Sequence, residues 1–89
     1  MVERTVQIVN NNGLHARPAA EIVKAAARYK SHVTLTRDDL EVNGKSIMGV
    51  MMLAAEFGSM LTLRADGPDA QDAVEALATL IANKFGERK

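Results

Sequence analysis

The sequence predicts an α+β domain: a four-stranded antiparallel sheet with three helices on one face, in the order β-α-β-β-α-β-α. Three observations carry that prediction. Four short segments alternate apolar and polar residues with a period of two, the mark of strands buried on one side only. Two longer segments carry a single apolar stripe at helical spacing, and a shorter one opens behind a serine suited to capping a helix. The 89 residues are too few for two cores, so all of these elements are expected to share one domain spanning 1–89. Half-polar strands and single-striped helices pack as two layers, leaving the second face of the sheet in water.

In the first strand, Val2, Arg4, Val6 and Ile8 share one face and Glu3, Thr5 and Gln7 the other. The asparagine-rich stretch 10–13 reads as loop. Ala19, Ile22, Val23, Ala26 and Tyr29 then recur at helical spacing, with Glu21, Lys24 and Arg28 turned away. Pro18 suits a first helical turn but pushes Arg17 away from helical geometry, so this helix is expected to begin at Arg17 or Pro18. His32 to Arg37 alternates again, Asp38-Asp39 turns the chain, and Leu40 to Asn43 returns as a short strand. A short helix follows from Ser46 through Leu53, and Met60 to Ala65 alternates as the fourth strand. Gly67-Pro68-Asp69 opens the last helix, with Pro68 in its first turn and Asp69 and Asp72 at the positive end of its dipole. Ala70, Ala73, Val74, Leu77, Leu80 and Ile81 form its apolar stripe, and Gly86 is its expected stop.

Composition narrows the function. Eleven basic and eleven acidic residues cancel and no basic stripe is apparent, so nothing points to nucleic acid. The absence of cysteine excludes a disulfide framework and a thiolate site, and suits a reducing cytosol. Met1-Val2-Glu3-Arg4 opens on charge, unlike a signal peptide, and no apolar run is long enough for membrane insertion. A cytoplasmic protein without cofactor or metal is expected, since His32 is the only second histidine for a metal site.

The chemistry concentrates in Gly13-Leu14-His15-Ala16-Arg17-Pro18-Ala19. A helix N-terminus presents backbone N–H groups, here including that of Ala16, and a positive dipole end that together favour an anion. The same field disfavours positive charge on an imidazole, which keeps its ring nucleophilic. A neutral imidazole can attack phosphorus, and the phosphate formed on His15 would meet those donors. Arg17 adds a fixed cation able to hold two phosphoryl oxygens. His15 therefore reads as a transient phosphoryl acceptor, and no serine or cysteine stands in a triad-like spacing with it.

Gly44-Lys45-Ser46 looks like the tail of a P-loop, but the glycine required five positions before the second glycine is Asp39, and nucleotide binding is rejected. Ser46 is read as an N-cap. Ile47, Met48, Val50, Met51 and Met52 exceed what one face of a short helix can bury, so some should be exposed as an adaptable docking patch. A phosphate on Ser46 would be tolerated at a helix start while placing about −2 of charge beside that patch.

Together with Lys45-Ser46-Ile47-Met48-Gly49-Val50-Met51, the His15 stretch resembles HPr, the histidine-containing phosphocarriers of the bacterial phosphotransferase system, over essentially the whole chain. The resemblance implies an open-faced β-sandwich of four antiparallel strands and three helices. It implies a phosphoryl carrier and not an enzyme, with Nδ1 of His15 charged by phospho-Enzyme I and discharged to an EIIA domain. Arg17 would coordinate the phosphate. Ser46 would be the serine modified by HPr kinase/phosphorylase where that enzyme exists, with a transcriptional regulator as a further partner. Leu14, Ala20, Ile47, Met48 and Met51 would form the partner-binding face, with Lys24 on its basic rim. Basic residues that some members carry at the positions of Ala27 and Gly49 are missing, and Arg28 stands beside the first. A monomer is expected. The alternatives are the nitrogen-branch carrier (NPr) and a regulatory binding module acting through phospho-Ser46.

Overall fold

Period-two patterning becomes a sheet because each strand has one apolar face to hide. A computed structural model describes residues 1–86, and its strands are β1 (Val2–Gln7), β2 (His32–Arg37), β3 (Leu40–Asn43) and β4 (Met60–Asp66). Residues 87–89 of the expected domain lie outside the described residues. All neighbouring strands are antiparallel, in the order β1-β4-β2-β3. β4 is central and shows the alternation most clearly: Leu61, Leu63 and Ala65 are buried, while Thr62 and Arg64 between them are half-exposed. Register then places Leu63 opposite Leu35 of β2, and Leu35 opposite Val42 of β3, so the inner faces stack into one apolar layer. The outer face is polar, and there Arg64 donates to Glu3 across the β1–β4 pair at 2.8 and 2.5 Å.

The helices are α1 (Ala16–Ala27), α2 (Ile47–Met52) and α3 (Ala70–Ala82). α3 lies against β1 and β4, α2 against β3, and α1 against both other helices. Much of the contact is made by alanine: Ala19 and Ala26 of α1 and Ala70, Ala73 and Ala78 of α3 are buried among Ile22, Val74, Leu77 and Ile81. Small side chains at these positions let backbone approach backbone, and the leucines of the sheet fill the remaining volume. The order and layering expected from the sequence are those of the structure.

Two helix starts differ from expectation. α1 begins at Ala16, one residue before Arg17 and two before Pro18, because Ala19 N–H already bonds the His15 carbonyl at 3.0 Å. Pro18 thus sits third in the helix, where its missing N–H has no partner to lose. α3 begins at Ala70, so Pro68 lies outside it and only Asp72 is an acid of the first turn. The carboxylate of Asp69, its N-cap residue, makes no cap bond and is drawn to the start of β2 instead. α3 ends at Ala82 with Asn83 as its C-cap, short of the expected stop at Gly86, because the backbone already turns to positive φ at Lys84, Phe85 and Gly86 in a short 3₁₀ turn at Lys84–Gly86. Among the described residues, no helix is long and apolar enough to cross a membrane.

Candidate functional site

His15 owes its position to the loop in front of it. The buried side chain of Asn10 donates to the Gly13 carbonyl at 2.8 Å, and Gly13 N–H returns a bond to the Asn10 carbonyl at 3.2 Å. Gly13 has φ +65, and a Cβ there would stand 2.4 Å from the Ala55 carbonyl oxygen, so only glycine fits this approach. Next, Leu14 N–H bonds that same oxygen at 2.8 Å. Leu14 is then fixed and buried, and His15, the following residue, is turned outward.

His15 is the N-cap residue of α1, in extended geometry (φ −80, ψ −174), and its side chain makes no cap bond. The N–H groups of Ala16 and Arg17 have no acceptor inside the helix, and Pro18 has no N–H at all. The first turn contains no acidic residue to repel an anion. His15, Ala16 and Arg17 are all exposed. Arg17 lines a shallow cleft with Pro18, Phe85 and Gly86, so the 3₁₀ turn after α3 borders the His15 end of the molecule.

The second motif lies beside the first. Ser46 Oγ accepts the Gly49 N–H at 3.1 Å, the expected N-cap of α2. A six-residue helix does not persist alone; here it is pinned at several points. Val50 is fully buried beneath it, Arg37 donates to the Leu53 carbonyl at 3.0 Å, and Lys45 Nζ donates to the Tyr29 carbonyl at 2.7 Å. This last bond ties the start of α2 to the end of α1, while Leu14–Ala55 ties the end of α2 to the start of α1. The two helices therefore run in opposite senses. His15 stands near the end of α2, and Ser46 stands at its far end, about 9 Å of helix away.

Between them the expected docking residues fall as follows. Ile47, Met48 and Met51 are exposed, and Ala20 is half-exposed on α1. Leu14 is not part of that face: at 5% exposure it belongs to the core, because its own backbone bond to Ala55 draws it inward. Lys24 is exposed on α1, with Glu21 one turn back at 3.8 Å, so its charge is partly answered. Gly49 is half-buried, and a side chain there would crowd Ser46 Oγ and the Asn43 carbonyl at 3.3 Å.

Three supporting residues were not singled out by the sequence reading. Asn10 had a partial signal, since asparagine side chains in loops bond nearby backbone groups. Lys45 stands in both motifs around Ser46, but nothing local announces its bond to the Tyr29 carbonyl. Ala55 had no signal, because its role is to offer a carbonyl to a segment 41 residues earlier. Among the described residues no group of three His, Cys, Asp or Glu side chains could hold a metal.

A family model described as "PTS HPr component phosphorylation site" matches residues 2–83. Phosphocarrier protein HPr of Cupriavidus necator is 52% identical over 87 residues, covering 98% of each chain. That of Treponema pallidum is 53% identical, covering 98% of this chain and 99% of its own. In three dimensions, an HPr crystal structure from Thermoanaerobacter tengcongensis superposes with a TM-score of 0.96 at 45% identity, covering all of both chains. Two further solved relatives are described as dimers. One is HPr of the same organism (TM-score 0.79, 46% identical, 98% and 100% covered). The other is the catabolite repression protein Crh of Bacillus subtilis, with a swapped domain (TM-score 0.76, 45% identical, 94% and 97% covered). The expected monomer is thus not supported.

Proposed function

The chain belongs to the PTS-HPr family, and on that premise we propose that it relays phosphoryl groups on His15, from phospho-Enzyme I to EIIA components of a sugar phosphotransferase system in the cytoplasm. The single observation that carries this reading is an exposed His15 at an α1 start whose first N–H groups have no intrahelical acceptor. In the acceptor step, the Nδ1 lone pair forms the N–P bond as the bond from phosphorus to the donor breaks. The phosphoryl oxygens then lie where the N–H groups of Ala16 and Arg17 and the Arg17 guanidinium can meet them. Transfer onward runs the same step in reverse toward EIIA. Because donor and acceptor use one nitrogen in turn, the site is shallow, and docking through Ala20, Lys24, Ile47, Met48 and Met51 is brief.

Enzyme I with phosphoenolpyruvate is expected to give an acid-labile, alkali-stable phosphoprotein, and His15→Ala is expected to give none. Label of that character persisting in His15→Ala would remove the assignment. Comparing discharge to a sugar-type and a nitrogen-type EIIA separates this branch from NPr.

A second, compatible reading is regulation through Ser46 by HPr kinase/phosphorylase, with a transcriptional regulator as the reader. It is favoured by the likeness to Crh, a protein named for catabolite repression, and by the position of Ser46 at the far end of α2 from His15. Phosphate there would act on docking, not on the chemistry at the ring. A kinase-treated chain still labelled by Enzyme I at its untreated rate would defeat this.

A further inference from the structure

Methionine is ordinarily a core residue, yet all five methionines of this chain are exposed, Met1 and Met48 at 77%, Met52 at 64%, Met60 at 53% and Met51 at 42%. Three of them stand on one helix. Met51 and Met52 lie three and four residues after Met48 on α2, so the three thioethers neighbour one another on its outer side. The inward side is held by Val50 alone, with Leu53 just beyond the helix end. The chain has neither cysteine nor tryptophan, so no thiol or indole on the molecule intercepts an oxidant before these sulfurs do.

From this arrangement we infer that α2 is a reversible oxidation site: Met48, Met51 and Met52 take up oxygen from a peroxide, and their sulfoxides weaken docking without unfolding the protein. In each event the sulfur lone pair attacks one peroxide oxygen and the O–O bond breaks. The products are methionine sulfoxide and water, sulfur being oxidised by two electrons and the peroxide reduced by two. The sulfoxide is strongly polar where the thioether was apolar and adaptable. Since none of the three side chains is buried, the fold keeps its packing and the change falls on whatever α2 touches. Methionine sulfoxide reductases return the thioether, so the modification can be undone. Met60 provides an internal contrast. It alternates with buried Leu61 and so faces the open side of the sheet, away from α2.

The inference rests on the carrier reading, and its test separates the two. The purified chain is treated with hydrogen peroxide, freed of it, mapped by mass spectrometry, and assayed for Enzyme I-dependent phosphorylation before and after. Oxidation is expected at Met48 and Met52 ahead of Met51. A roughly tenfold fall in kcat/KM is expected, the scale of losing one important docking side chain. The melting temperature should hold within about 2 °C, and MsrA with MsrB should restore the rate. Met48→Leu/Met51→Leu/Met52→Leu, whatever its own starting rate, should lose none of it on the same treatment, although Met60 still oxidises. An oxidised chain that transfers at its untreated rate overturns the inference, as does an equal proportional loss in the triple variant. A chain that Enzyme I never labels, even before peroxide, overturns the carrier reading and this inference with it.

Discussion

The starts of α1 and α2 carry the two residues proposed to accept phosphate, and they are built in opposite ways. Ser46 closes α2 with its own oxygen, taking the Gly49 N–H. His15 leaves α1 without a side-chain cap, and Pro18 stands at the third position, from which a cap most often draws its N–H. The closed start belongs to a six-residue helix that needs every anchor; the open one belongs to a twelve-residue helix that can spare one. The start of α3 is a third solution: Asp69 leaves its own helix uncapped and fastens a different part of the chain. Helix ends are thus where this fold decides between stability and availability.

The largest expected effect comes from breaking the loop that keeps the α1 start open. Gly13→Val forces a branched side chain into φ +65 against the Ala55 carbonyl. It should cost about 3 kcal/mol in chemical denaturation and slow His15 labelling as the loop shifts. A loss below about 1 kcal/mol would mean that the loop relaxes freely and does not set the position of His15.

Next comes the α3 corner, where one carboxylate holds three donors. Asp69 accepts Lys30 N–H at 2.9 Å, Ser31 N–H at 2.9 Å and Ser31 Oγ–H at 2.5 Å. The Ser31 hydroxyl and then the backbone N–H of Lys30 lower its pKa from 3.8 to about 2. The folded value lies below the unfolded one, so its contribution is whole above the unfolded pKa and is lost as pH falls from about 4 through about 2. Asp69→Asn should lower stability at neutral pH and flatten that acid limb. An unchanged acid limb in Asp69→Asn would place the titration elsewhere.

At α2, Ser46→Ala removes one cap bond and should cost about 1 kcal/mol. Ser46→Asp keeps an equally good cap and should restore most of that stability, while its charge beside Met48 slows Enzyme I-dependent labelling. Equal labelling of Ser46→Asp and the parent would separate the cap from any regulatory effect.

What the sequence made legible follows from how far each signal reaches. β2 and β3 were bounded correctly because alternation and the Asp38-Asp39 turn are local. The positions of His15 and Ser46 at helix starts were legible because the signals that open a helix are also local. Leu14 was misplaced on the surface because its burial depends on Ala55, and nothing near Leu14 announces that partner. Asp69 was read as serving its own helix because the dipole argument is local, whereas its partners lie 38 and 39 residues earlier. Lys45 fell to the same limit. Each side chain was recognised; the bond that gives it its place was not.

The smallest effect tests the central contrast most directly. If α1 starts uncapped because the site needs its N–H groups, giving it a cap should stabilise the protein while removing the acceptor. His15 already has the extended backbone a cap residue needs. His15→Asp can then take the Arg17 N–H, though not one from Pro18, so the gain should be only about 0.5 kcal/mol. Adding Pro18→Ala supplies the missing donor and should raise it toward about 1 kcal/mol. Neither variant should be labelled by Enzyme I. Greater stability with lost labelling would show that this helix gives up cap energy to leave its first turn available for a phosphoryl group. A His15→Asp chain less stable than the parent would show instead that the α1 start is already satisfied, and the contrast with α2 would no longer explain where the phosphate goes.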